Sequence, residues 1–238
     1  MTSTDPTRRL TALLKRLRSE HPDLASEPAS SLAPVPEWAD AVLDEFLLSF
    51  LMWESTTAKA RAALRRMREC VVDYNELRVC LPHELSDLMG ERYPRAQERT
   101  ERLHAALTDL YKREHAMSFA RLVDAPKRDA LSYLTSLEGV PPYVASRVLV
   151  VSLGGHAVPV DDRLLALLVA EGVVEAGATA ESAASWLDRH VRAPEALPTH
   201  LLLQLWSDEG TARKERKSER PAGDKPARPR SKKQRAQS

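Results

Sequence analysis

The groups able to do chemistry stand close together in one stretch, "LEGVPPYVASRVLVVSLGGHAVPVDDRLL", from Leu137 to Leu165. Gly139 permits a tight turn, and a helix starting just behind it points unsatisfied backbone amides outward. A helix N-terminus reached through a glycine turn is an anion site suited to a phosphate. Eighteen residues after Tyr143, "AVPVDD" delivers a carboxylate directly behind an apolar strip, at the mouth of a further helix. Asp161 and Asp162 compete to cap that helix, since either side chain can accept from its first free amides. A carboxylate desolvated in this way is open to a raised pKa and hence to charge chemistry. His156, in the loop ahead of Asp161, reads as a surface residue rather than a general base.

Helices must position these groups. "TRRLTALLKRLRSEH" carries Leu10, Leu13, Leu14 and Leu17 at helical spacing, an amphipathic helix. The Pro/Ser-rich "PDLASEPASSLAPVPEW" that follows reads as a loop. Residues 39–53 form the most apolar helix, expected at the buried centre of a helical lobe. Further helices are expected over 57–73 and 95–122, and over 128–137 after Pro126 breaks the chain. The remaining ones are expected over 142–153, from the Asp cap to about 171, and over 179–191 and 197–208. Nothing alternates at period two, so the expected fold class is all-α.

Composition agrees with that scaffold. The 238 residues are ample for a buried core, and Gly and aromatic residues are scarce. No apolar run reaches the roughly 20 residues needed to span a bilayer, and "MTSTDPTRRLTALLKRLR" lacks the apolar core of a secretory signal. A cytoplasmic protein with no membrane partner is expected, nucleoid-associated in a bacterium, and monomeric. Cys70 and Cys80 are the only cysteines, too few for a four-thiolate zinc site or iron–sulfur cluster, and the seven histidines form no ligand pair. Neither a metal nor a cofactor is expected. From Thr211 to Ser238, eleven Lys/Arg face only Glu215, Glu219 and Asp224, a net +8 that leaves about −7 for residues 1–210. Such a segment cannot build a core and is expected to be disordered. It reads either as a phosphate-binding arm or as a solubilising tail.

The hairpin and its Asp resemble the helix-hairpin-helix DNA glycosylase superfamily, the endonuclease III group. The family's hairpin runs roughly L-P-G-V-G-x-K-T-A, with a catalytic Asp eighteen residues after the lysine position. Here the counterpart is Leu137-Glu138-Gly139-Val140-Pro141-Pro142-Tyr143-Val144-Ala145, with Asp161 at that distance. Looser similarity extends over about residues 8–210. The resemblance implies a two-lobed helical bundle with a helix-hairpin-helix motif. Residues 1–35 would be an N-terminal helix and linker, 36–210 the glycosylase-like domain and 211–238 a basic tail. It also implies double-stranded DNA as partner, Asp161 and Tyr143 as catalytic-site residues, and DNA contacts from Gly139, Val140, Tyr143, Val144, Ala145, Arg147 and Trp53.

Departures from the pattern shape the chemistry. Tyr143 stands where bifunctional members keep the lysine that forms a Schiff base, and no lysine occurs between Lys127 and Lys214. A phenol forms no such intermediate, so an enzyme of this sequence would release a base without cutting the backbone. Thymine-mismatch glycosylases of the family likewise keep the Asp and lack the lysine; there the Asp stabilises an oxocarbenium-like sugar. Against activity, Pro141 replaces a glycine whose amide donates to a phosphate, although the Val144 and Ala145 amides would remain. Trp53 and Glu54 replace a Gln pair: Trp53 either stacks on a base or lies in the core. Glu54 would repel phosphate unless it serves as an acid for the leaving base. Three readings stand: a monofunctional glycosylase, a degenerate member that binds DNA or a repair partner, and a helical interaction protein with no nucleic-acid role.

Overall fold

The computed structural model describes residues 5–22, 40–90 and 92–218. Among them eleven α-helices form two lobes, and no strand occurs. The first lobe holds α2 (Ala41–Met52), α3 (Thr57–Cys70), α4 (Tyr74–Val79), α5 (Pro82–Met89), α6 (Ala96–Glu114), α7 (Lys127–Ser136) and α8 (Pro142–Val151) around one apolar core. The second holds α1 (Pro6–Glu20), α9 (Asp162–Ala170), α10 (Ala180–His190) and α11 (Ala196–Ser218) around a smaller one. No described helix is long and apolar enough to cross a membrane.

As its sequence requires, α2 is the centre. Every residue from Val42 to Met52 is buried, and each fully buried Leu or Phe stabilises the lobe by about 1.5–3 kcal/mol. Asp40 starts the helix by accepting from the Val42 and Leu43 amides at 2.8 and 3.0 Å. Arg99, reaching in from α6 and completely buried, closes its other end. The guanidinium donates to the carbonyls of Phe50 and Trp53, and to that of Pro94 at 3.1 Å. Residues 53 and 54 are thereby fixed at the edge of the first lobe.

The α7–α8 pair forms the helical hairpin, with Gly139 in its turn at φ +77°. A Cβ there would stand 2.8 Å from the Arg102 carbonyl oxygen of α6, so both backbone conformation and close approach demand glycine. Pro142 occupies the first turn of α8, where proline suits helix geometry.

The structure departs from the expected elements in three places. Residues 74–89 fold into the short helices α4 and α5, which carry caps but too few turns to show a period. Asp73 accepts from the Glu76 amide at 2.9 Å, and Glu84 takes the Leu81 amide at 2.7 Å. The helix expected over 95–122 stops at Glu114, because His115 is left-handed at φ 53°; a 3₁₀ turn over Ala120–Leu122 follows. Finally, α11 continues to Ser218, beyond the end expected at 208. Thr211 hydrogen-bonds to Arg163 of α9 at 2.9 Å and to the Ser207 carbonyl at 3.0 Å, so the disordered tail expected from 211 does not begin there. The rest of that tail, residues 219–238, and the Pro/Ser-rich loop over 23–38 lie outside the described residues.

Candidate active site

The two lobes meet along a cleft of about 240 Å³. Its walls are the end of α2 (Trp53, Glu54), α6 (Arg95, Arg102), the start of α8 (Pro141 to Tyr143, Ser146), the start of α9 (Val160 to Asp162) and α10 (Ala180, Glu181, Ala184). Asp161, not Asp162, is the N-cap of α9. One of its oxygens accepts from the Leu164 amide at 2.9 Å. The other accepts from the Glu54 amide of the opposite lobe at 3.2 Å and lies 3.8 Å from Arg163. The residue is only 4% exposed. Burial pushes its pKa above the ordinary carboxylate range; the two amides and Arg163 act against that rise.

Glu54 answers from the first lobe. Its carboxylate accepts from the Asp162 amide at 2.7 Å, so each lobe's carboxylate holds an amide of the other. Its backbone is left-handed, at φ 55°. This conformation suits Gly or Asn after a helix, and a glutamate holds it at a cost of about 1–2 kcal/mol. Burial, and then the charge of Asp161, raise its pKa to about 7.

Searches by sequence find no protein-family model and no curated protein that matches this chain. Solved structures do match. An endonuclease III–DNA covalent intermediate superimposes with a TM-score of 0.61 at 15% identity, over 84% of this chain and 85% of that one. The 8-oxoguanine DNA glycosylase of Thermotoga maritima gives 0.57 at 18% identity, over 84% and 95%. The 3-methyladenine DNA glycosylase of H. pylori, bound to 1,N6-ethenoadenine, gives 0.54 at 14% identity, over 90% and 99%. The chain has the helix-hairpin-helix DNA glycosylase fold.

Within this glycosylase fold the start of α8, from Pro141 to Tyr143, reaches the same cleft as Asp161, whereas Gly139 and Val140 of the turn do not line it. Several other candidates do not serve as expected. Arg147, expected on phosphate, is 4% exposed and ion-paired with Glu45 of α2, and it also donates to Ser49 at 2.9 Å. It ties α8 to the core. The Val144 and Ala145 side chains are fully buried. Their amides, expected to be free, both donate to the Pro141 carbonyl, at 2.9 and 3.3 Å, while the Val140 amide donates to Leu137 at 3.3 Å. Pro141 and Pro142 have no amide to give.

Tyr143 lines the cleft, but its buried hydroxyl donates to Gln204 of α11 at 2.8 Å. Burial holds the phenol neutral far above neutral pH. The bond to Gln204 ties α8 to α11, and a neutral, buried phenol is suited neither to nucleophile nor to base. Of the two readings of Trp53, base stacking or core, the structure has the core one: the side chain is 9% exposed and belongs to the first lobe's apolar cluster. The guanidiniums of Arg95, Arg99 and Arg102 lie 5.3, 5.6 and 5.4 Å from its ring centre.

Arg95 and Arg102 carry no signal in the sequence that marks them for the cleft: Arg95 is the left-handed residue just before α6, at φ 51°, and no helical period relates it to Arg102. Glu54 was noticed but not placed beside Asp161, since neither its left-handed backbone nor the lobe–lobe pairing leaves a periodic signal. His156 bonds the Val191 carbonyl at 2.9 Å, a structural role consistent with its reading. A four-thiolate iron–sulfur cluster does not fit the cysteines present: Cys70 ends α3 and Cys80 caps α4, both in the first lobe, and two thiols cannot supply four ligands.

Proposed function

We propose that this protein is a monofunctional DNA glycosylase, which binds duplex DNA and releases a damaged or mismatched base by hydrolysing its N-glycosidic bond. The observation that carries the reading is the position of Asp161, a buried capping carboxylate at the base of a cleft between the lobes of a glycosylase fold. A flipped nucleotide entering this cleft would bring C1′ to a fixed negative charge. That charge stabilises the oxocarbenium-like sugar as the base leaves, and the same carboxylate orients the incoming water. None of the cleft residues is a lysine, so no amine is at hand for a Schiff base and backbone cleavage is not expected. No step needs a metal or an organic cofactor.

A catalytically degenerate DNA-binding protein is the second reading. It draws on the hairpin, where two prolines and three internally bonded amides leave few donors for a phosphate. One experiment separates the two. Duplexes carrying mismatched thymine, uracil, alkylated or oxidised bases are incubated with the parent protein and with Asp161→Asn, and products are read with and without hot alkali. Strand breaks that appear only after alkali, and fall at least about 100-fold in the variant, establish the glycosylase. Duplex binding with no release from any substrate, unchanged by the substitution, establishes the binding protein.

A further inference from the structure

We infer that Glu54 is a second catalytic carboxyl group, which protonates the departing base while Asp161 faces the sugar; this rests on the glycosylase reading above. Three features of its geometry carry the assignment. Glu54 lines the same cleft as Asp161 and approaches it from the opposite lobe. It keeps a left-handed backbone that Gly or Asn would hold more easily, so the side chain is retained against a conformational cost. Finally, the exchanged amide bonds fix the two carboxyl groups in register across the lobe boundary.

The surroundings divide the labour. Two amides and Arg163 support a negative charge on Asp161. Glu54 has one amide, and the charge of Asp161 beside it favours the protonated form. Other carboxylates facing the site are Asp162 and, from α10, Glu181. The cations are Arg95, Arg99 and Arg102 of α6, with Lys59 of α3 and Arg163 of α9 on the far side of Glu54. The neutral phenol of Tyr143 closes the α8 side. A pKa of about 7 for Glu54 agrees with this division. In the reaction the C1′–N bond breaks and its electron pair passes to the base, which takes the Glu54 proton. Water adds to C1′ and gives its proton to Asp161, and exchange with solvent returns Asp161 to carboxylate and Glu54 to acid. The sum is hydrolysis.

Glu54→Gln tests this, because the amide still accepts from Asp162 but has no proton to give at these pH values. Single-turnover release is measured from about pH 5 to about pH 9 on two duplexes. One carries a neutral base, mismatched thymine or uracil; the other carries 7-methylguanine, whose cationic base leaves without an added proton. With the neutral base, parent activity is expected to fall as pH rises above about 7. The variant loses at least about 100-fold there, and its alkaline fall disappears. On 7-methylguanine the loss shrinks below about tenfold. Equal losses on both duplexes mean that Glu54 is only a clamp and overturn the inference, as does an unchanged rate or a parent that releases 7-methylguanine alone. A parent that releases neither base overturns the glycosylase reading, and the inference with it. If the variant does not fold, as read by thermal unfolding, the parent's alkaline fall on the neutral base and its absence on 7-methylguanine decide the matter alone.

Discussion

Two carboxylates, Asp44 and Glu45, lie within the most apolar helix of the molecule, and each is neutralised by an arginine from another helix. Asp44 pairs with Arg68 and accepts from the Tyr74 hydroxyl at 3.0 Å; Glu45 pairs with Arg147. Removing one partner of a buried pair strands the other, at a cost of about 3–5 kcal/mol. Arg147→Met is therefore expected to lower stability by that amount in urea unfolding at neutral pH, and adding Glu45→Leu should recover most of it. The pH dependence has a definite sign. Burial already raises the Glu45 pKa, and loss of Arg147 raises it further, so the folded variant holds a proton that the unfolded chain has lost. Its stability is highest below the ordinary carboxylate range and falls as pH rises, so the defect should be smaller at about pH 5 than at about pH 8. The sequence puts Arg147 four residues after Tyr143, one turn along the same helix. It does not reveal that Arg147 meets α2, because "PYVASRVLVV" is apolar nearly all round and its acidic partner lies 102 residues away.

At the level of elements, the hairpin shows what a local pattern specifies and what it leaves open. The Gly139 turn, the start of α8 at Pro142 and the carboxylate cap of α9 were all legible, because each depends on residue types at fixed short spacings. The use of the α8 amides was not legible, since it depends on how the first turn closes onto Pro141. Pro141→Gly would return the missing donor. On the proposed function it is expected to tighten duplex binding by up to about tenfold, the worth of one hydrogen bond to a charged group. Stability should fall by about 0.4–1 kcal/mol as the unfolded chain gains freedom. Fluorescence anisotropy and urea unfolding read the two effects; unchanged affinity would mean that the hairpin does not hold the phosphate in this protein. The short α4 and α5 escaped the sequence reading because six and eight residues give a helical period too little length to appear.

Over the whole molecule, the proposed function would bring an acidic body up to a polyanion. The cleft itself offers Glu54, Asp161, Asp162 and Glu181 against Arg95 and Arg102. Residues 219–238 carry seven Lys/Arg and two acids, which makes them the natural source of long-range attraction. Deleting them, while leaving α11 intact through Ser218, is expected to flatten the slope of log affinity against log salt by about 3–6, at roughly 0.9 for each phosphate no longer neutralised. An unchanged slope would remove this segment from DNA binding.

The path of the chain through the lobes carries a further consequence, one of timing. α1 belongs to the second lobe, yet about 175 residues separate its end from the start of α11, the helix it packs against there. During synthesis at about 5–20 residues per second, the first lobe emerges complete while Leu10, Leu13, Leu14 and Leu17 wait exposed for several seconds to half a minute. The first helix of the fold to leave the ribosome is thus among the last to be buried.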